Sequence, residues 1–135
     1  MRIATWKINL VRLRLKQVLK FIEEKNIDTL CLQETKTQDE FFPSADFLKA
    51  GMNYQYFRGE KSYNGVAILS NTKFTDMSYI DYCLKGDARH ISVKFKNNIQ
   101  LHNFYVPAGG DDADIAINPK FEHKISFLNE MKSNF

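Results

Sequence analysis

An apolar run that ends in an acidic residue constrains the fold of this chain more than any other stretch. Residues 30–32 are Leu-Cys-Leu and follow Ile27, so an extended segment here has no polar face. This pattern is typical of a strand that is covered on both sides. Gln33 and Glu34 come next, at the predicted end of that strand, where open α/β folds often place ligand sites. The alternative interpretation of Glu34 is a solvated carboxylate at a strand terminus.

The residues before Glu34 form a strand–helix–strand pattern. Residues 2–9 alternate as a strand does, and apolar side chains then recur at helical spacing over 11–25. Residues 28–34 form the second strand. A helical crossover joins parallel strands, so the ends of both strands lie on the same side of the sheet. We therefore expect Asn9 and Glu34 to lie close together.

The rest of the chain predicts a mostly antiparallel arrangement. The predicted elements are a helix over 44–50, strands over 54–57 and 66–69 around an Asn64-Gly65 turn, a strand over 77–82, a hairpin of 91–96 and 99–106, and a helix over 119–133. The expected fold class is α/β and layered: one mostly antiparallel mixed sheet, with helices 11–25 and 119–133 on its outer face. Residues 1–135 are expected to form a single domain.

Composition excludes some classes of protein. With 44% hydrophobic and 26% charged residues, the chain is typical of globular rather than disordered or membrane proteins. Cys31 and Cys83 have no CxxC spacing, and the N-terminus resembles a strand rather than a signal peptide. We therefore expect a cytoplasmic protein that does not enter a membrane. A net charge of +3 permits a polyanionic partner without requiring one.

Two groups of residues suggest chemistry. The Glu34 carboxylate and the Asn9 amide offer the oxygen ligands that Mg²⁺ prefers. Tyr105, at the end of a predicted strand, has a phenol that can donate to a phosphate oxygen, and its alternative is a half-buried strand tyrosine. By contrast, the histidines lack ligand spacing and the aspartates of the 107–114 loop are better explained by solvation.

Four segments, in this order, resemble one enzyme group. They are TWKIN at 5–9, DTLCLQETK at 28–36, SYNGVA at 62–67 and NFYVP at 103–107. Together they are similar to the motifs of the bacterial exodeoxyribonuclease III and AP endonuclease group, within the endonuclease/exonuclease/phosphatase superfamily. The resemblance covers the N-terminal half of that family and implies the corresponding half of a DNase I-like β-sandwich.

The resemblance also implies a function in DNA base-excision repair. Members of this group are Mg²⁺-dependent phosphodiesterases, with Mn²⁺ as an alternative metal, that act on duplex DNA at abasic sites or 3′ ends. By this resemblance Glu34 would bind the metal and Tyr105 would be catalytic at the phosphate. Asn9 and Asn64 would support the site.

Two departures from the family pattern leave the enzymatic activity open. Lys7 replaces a metal-site asparagine, and its ammonium is expected to pair with Glu34 and to compete with Mg²⁺, unless it extends away into solvent. The chain also ends before the Gly-Asp-Phe-Asn segment and the Asp-His pair of the family. The alternative function is therefore a non-catalytic relative that binds DNA or a partner chain. The resemblance also implies that a second half-sheet covers the inner face of the sheet in the complete family, so this chain is expected to leave an apolar inner face open. An open face of this kind favours self-association or pairing with a complementing C-terminal half.

Overall fold

Seven strands and three α-helices make up the computed structural model, which describes residues 1–135. In chain order they are β1 (Ile3–Lys7), α1 (Leu15–Lys25), β2 (Thr29–Gln33), α2 (Ser44–Lys49), β3 (Tyr54–Glu60), β4 (Tyr63–Ser70), β5 (Phe74–Ser78), β6 (His90–Phe95), β7 (Gln100–Phe104) and α3 (Pro119–Ser133). The chain divides into two compact units: residues 1–80 with 87–105, and residues 81–86 with 106–135.

The first sheet of the first unit has the strand order β1-β2-β4-β3. β1 and β2 are parallel, with Thr5 opposite Cys31, as the predicted crossover requires. β4 runs antiparallel to both β2 and β3. All five residues of β2 are buried, which confirms the prediction of a strand covered on both faces.

Helix α1 covers one face of the first sheet. Val18 and Ile22 are buried in a cluster with Leu30 and Leu32 of β2, as the helical spacing predicts. The helix begins at Leu15, four residues later than predicted. The reason is that residues 10 and 11 donate their backbone N–H groups to the carbonyls of residues 34 and 35, which holds this segment against the end of β2 and outside a helix.

A second sheet covers the other face of the first. β5, β6 and β7 form a separate antiparallel sheet, so the expected single sheet is in fact two. Ile91 and Val93 of β6 pack against Cys31, Val66 and Ile68 of the first sheet. The layered α/β class is confirmed, but the apolar inner face that we expected to be open is buried by strands of this same chain.

Two strand predictions need correction. Asn64 and Gly65 do not form the β3–β4 turn: both lie inside β4, and the turn is at residues 61 and 62. β5 covers Phe74–Ser78 rather than 77–82, because its ladder with β6 ends at Ser78. The β6–β7 hairpin is confirmed, with Lys94 opposite Gln100.

The second unit is built around α3. Asn118 accepts hydrogen bonds from the N–H groups of Lys120 and Phe121, at 3.0 and 3.4 Å, and Pro119 opens the helix as predicted. The Phe127 ring lies 4.7 Å from that of Tyr82, the residue that opens a short 3₁₀ turn. No helix in the chain combines the length and the apolar character that a membrane crossing requires.

Candidate active site

A clamped turn at the end of β2 presents Glu34. The backbone N–H of Leu10 donates to the Glu34 carbonyl at 3.0 Å, and the N–H of Lys36 donates to the Asn64 carbonyl at 2.9 Å. Residues 34–36 are therefore held between the segment that leaves β1 and the beginning of β4. Glu34 and Lys36 both have positive φ, at 56° and 48°, which costs a non-glycine residue about 1–2 kcal/mol. The surrounding hydrogen bonds maintain this unfavourable backbone.

Gly65 makes the clamp sterically possible. Its φ is +94°, and a Cβ atom added there would lie 2.1 Å from Oγ1 of Thr35. Its carbonyl accepts the Thr35 N–H at 3.2 Å. The neighbouring Asn64 is buried and donates from its amide to the Asp87 carbonyl at 2.8 Å. Asn64 therefore supports the backbone around the site and makes no hydrogen bond to the Glu34 carboxylate.

The Glu34 carboxylate has three donors. Its Oε1 accepts the hydroxyl of Tyr105 and lies 3.1 Å from Nζ of Lys7. Its Oε2 lies 3.3 Å from Nζ of Lys36, which also donates to Oδ1 of Asn9 at 2.8 Å. The predicted proximity of Asn9 to Glu34 is confirmed, with Lys36 between them. The predicted ion pair between Lys7 and Glu34 is also present.

Tyr105 follows the end of β7 and is fixed by Arg89. Its backbone N–H donates to the Arg89 carbonyl at 2.8 Å, and the Arg89 guanidinium lies 4.9 Å from the centre of its ring. Arg89 is itself buried and paired with Asp87, at 2.5 Å between Nε and Oδ2. This ion pair and its cation–π contact keep the Tyr105 ring beside Glu34.

A buried polar network lies beneath Glu34 and joins the two sheets. The Gln33 amide donates to Oδ1 of Asn103 at 2.7 Å and to the Thr5 hydroxyl at 2.9 Å. The Asn103 amide in turn donates to the carbonyls of Leu32 and Ala67, each at 2.9 Å. Asn103 lies on β7, so these bonds set the position of the strand that carries Tyr105 relative to the strand that carries Glu34.

Electrostatics keep Glu34 ionised and Tyr105 protonated. Burial alone would raise the pKa of Glu34, but hydrogen bonds from Tyr105, Lys7 and Lys36 outweigh it and lower that pKa. Burial, together with the adjacent Glu34 carboxylate, raises the pKa of Tyr105 to about 12. The phenol is therefore a hydrogen-bond donor at neutral pH.

The site carries one excess positive charge. Its three cations are Lys7, Lys36 and Arg89, and they pair with only two carboxylates, those of Glu34 and Asp87. This excess favours an anionic ligand.

The donor set around Glu34 does not fit a resident Mg²⁺. Both carboxylate oxygens are engaged by ammonium groups, and the Asn9 oxygen accepts from Lys36. The other carboxylate of this region, Asp87, is paired with Arg89. No group of three carboxylate, imidazole or thiolate side chains in the chain lies close enough together to hold a metal ion.

No role was predicted for three charged residues of the site, Lys36, Arg89 and Asp87. Lys36 belongs to a motif segment, and a cation two residues after the acid is a signal that could have been used. Arg89 and Asp87 precede β6 in a segment without periodicity, so no sequence pattern indicates that they support Tyr105. The predicted site residues Glu34 and Tyr105 are brought together, and their roles toward metal and phosphate stay predictions.

Other candidate features lie elsewhere. His90 and His102 stack on the second sheet, 3.0 Å apart between ring nitrogens, and burial lowers the pKa of His90 to about 4. A cavity of about 880 Å³ is lined by Asp28 and Asn71 among others. These two residues mark the start of β2 and the end of β4, so the cavity is at the opposite end of the sheet from Glu34.

The chain has a layered α/β fold, and its site brings Glu34 and Tyr105 together beside Lys7, Lys36 and Arg89. The endonuclease/exonuclease/phosphatase family model matches residues 4–129, and the chain belongs to this family.

Solved structures of relatives agree with this assignment. An AP endonuclease from Archaeoglobus fulgidus is 36% identical with a TM-score of 0.85, over 97% of this chain and 49% of that one. A 3′-5′ exonuclease, NExo, from Neisseria meningitidis is 29% identical with a TM-score of 0.87, over 98% and 50%. The 3′ phosphatase NExo (D146N) from Neisseria, bound to a product DNA hairpin, is also 29% identical, over 98% and 50%, with a TM-score of 0.86. The chain therefore spans about half the length of these relatives.

Proposed function

We propose that this chain binds DNA phosphates at the sheet edge where Glu34 and Tyr105 lie. In this proposal that edge is part of the active site of a DNA-repair phosphodiesterase. The proposed reaction is hydrolysis of a phosphodiester bond at an abasic site or a 3′ end of duplex DNA. The observation that carries the proposal is the hydrogen bond from Tyr105 to Glu34, with Lys7 and Lys36 paired to Glu34 and Arg89 against the Tyr105 ring. The similarity to an AP endonuclease and to a 3′ phosphatase bound to product DNA supports it.

The cations provide the first contact with a phosphate. An ammonium has three donor hydrogens, so Lys7 and Lys36 can each keep Glu34 and still donate to a phosphate oxygen. Lys7 is the more accessible of the two, since its side chain is 63% exposed and that of Lys36 is 28% exposed. Tyr105 has a single hydroxyl proton, so a phosphate oxygen that accepts it must replace Glu34. Glu34 then stays ionised, held by the two ammonium groups.

Mg²⁺, with Mn²⁺ as an alternative, stays a prediction of the family resemblance. Because the residues around Glu34 do not fit a resident divalent ion, no step of the proposed function is assigned to a metal. A cytoplasmic location likewise stays a prediction.

A second candidate function is DNA binding without cleavage. The ion pair from Lys7 to Glu34 favours it, because this pair neutralises the carboxylate that the family resemblance assigns to a metal. In this case the chain acts on DNA or on a partner chain as an interaction module. Self-association and pairing with a complementing C-terminal half belong to this candidate.

An abasic-site assay tests both candidates. A duplex that carries one tetrahydrofuran abasic analogue is labelled, and its binding is measured by fluorescence anisotropy and its cleavage on denaturing gels, with Mg²⁺ and with a chelator. Tyr105→Phe and Glu34→Gln are compared with the controls Tyr79→Phe and Glu24→Gln at exposed positions. Cleavage that only the site variants lose supports the phosphodiesterase. Binding without cleavage supports the second candidate, and the absence of both rejects the proposed site.

A further inference from the structure

The positive charge next to Glu34 comes from lysine side chains of this chain. The Lys7 ammonium lies 3.1 Å from Oε1 of Glu34 and 5.9 Å from the centre of the Tyr105 ring. Lys36 lies 3.3 Å from the other carboxylate oxygen. A metal ion that bound Glu34 at either oxygen would therefore lie close to an ammonium. The two ammonium groups are not equivalent, because Lys36 is also held by Asn9, whereas Lys7 has no second acceptor among the hydrogen bonds of the site.

The repulsion between these charges is large enough to measure. A divalent ion about 4 Å from an ammonium loses roughly 30-fold in affinity, even when the medium screens as bulk water does. Lys7 is 63% exposed and can extend into solvent, but at about 8 Å the loss is still roughly sixfold. Withdrawal of the side chain therefore reduces the conflict without removing it.

We propose that Lys7 serves as the built-in counter-ion of Glu34 and excludes divalent metal ions from this site. The phosphate ligand then binds directly to the Lys7 ammonium, and its affinity depends on ionic strength rather than on Mg²⁺ concentration. This inference rests on the proposed function only for the nature of the ligand. The exclusion of metal is a property of Lys7 and Glu34 alone.

The test measures Mn²⁺ binding in the absence of DNA, by electron paramagnetic resonance of the free ion. Two variants separate charge from ligation: Lys7→Met removes the ammonium, and Lys7→Asn also supplies an amide oxygen. Lys20→Met is the matched control, because its side chain is 72% exposed and pairs only with Glu24 along the helix surface. Glu34→Gln is added to the unsubstituted chain and to each lysine variant, and the Mn²⁺ binding that it removes is the part that depends on the Glu34 carboxylate. Circular dichroism establishes that every variant is folded.

The expected result is Glu34-dependent Mn²⁺ affinity that rises roughly 30-fold in Lys7→Met, at least as much in Lys7→Asn, and not at all in Lys20→Met. Equal Glu34-dependent affinity in the unsubstituted chain and in Lys7→Met overturns the inference. So does the absence of Glu34-dependent binding in both Lys7 variants, since Lys7 is then not the residue that excludes the metal. DNA binding is measured separately, in the presence of a chelator. Loss of DNA binding would contradict the proposed function, whereas the Mn²⁺ measurement tests only the exclusion of metal by Lys7.

Discussion

Replacing Gly65 with alanine should destabilise the chain through a steric conflict with Thr35. A Cβ atom at residue 65 would lie 2.1 Å from Oγ1 of Thr35, a side chain that is only 1% exposed and has little room to move. Overpacking of this kind costs about 1–3 kcal/mol. The φ of +94° adds about 1–2 kcal/mol for any residue with a Cβ atom. We therefore expect the free energy of unfolding to fall by about 2–5 kcal/mol.

Two further variants separate these contributions. Gly51 also has a positive φ, +87°, but nothing lies within 4 Å of an added Cβ atom, so Gly51→Ala should cost only about 1–2 kcal/mol. The Thr35 hydroxyl is buried without a hydrogen-bond partner. In a Thr35→Ala background the conflicting oxygen is gone, and the additional cost of Gly65→Ala should fall to the same backbone contribution.

Urea unfolding monitored by Trp6 fluorescence is a suitable assay. Trp6 is the only tryptophan, and it packs edge-on against Phe21 with their ring centres 5.3 Å apart. The reasoning is refuted if Gly65→Ala loses no more stability than Gly51→Ala. It is equally refuted if the cost of Gly65→Ala is unchanged when Thr35 is alanine.

Three other predictions follow from burial and charge. Because the pKa of Glu34 is lowered on folding, ionised Glu34 stabilises the fold above its unfolded pKa near 4.5, and this stabilisation disappears as the pH falls through the folded pKa. In urea unfolding, the unsubstituted chain should therefore lose this part of its free energy of unfolding in acid, and Glu34→Gln should not. Since the Glu34 carboxylate contributes to the raised pKa of Tyr105, Glu34→Gln should move the phenolate absorbance transition of Tyr105 from about 12 to a lower pH, with Tyr105→Phe identifying the signal. Burial raises the pKa of Cys31 to about 12, so a thiol reagent should label Cys31 only when the chain unfolds, measured by mass spectrometry in a Cys83→Ser background.

Periodicity predicted the elements that position Glu34. The apolar run of β2, the helical spacing of α1 and the alternation of the β6–β7 hairpin each depend on local sequence, and the structure confirms all three. The resemblance to a nuclease family placed Glu34, Tyr105 and Lys7 in one site, and their side chains are in contact there.

The grouping of strands could not be predicted in the same way. Alternation shows that Ile91 and Val93 share a face, but it does not show which surface buries that face. In the structure it is the first sheet, through Cys31 and Val66. The expectation of a single sheet with an open inner face failed for this reason.

Gly65 and Arg89 are examples of residues whose roles depend on distant contacts. Asn-Gly is a strong signal for a hairpin turn, but here it lies inside β4, where the absence of a Cβ atom allows Thr35 to approach. Arg89 is placed under Tyr105 by the pairing of β6 with β7. Such contacts become visible only when the strands are assembled.

The most direct test of the proposed DNA site is an NMR titration of the chain with a short duplex that carries a tetrahydrofuran abasic analogue. The account predicts that the backbone amide shifts change around Lys7, around residues 34–36 and around Arg89 and Tyr105, and that these changes weaken as salt is added. Changes concentrated at the opposite end of the sheet, around the cavity that Asp28 and Asn71 line, would contradict it.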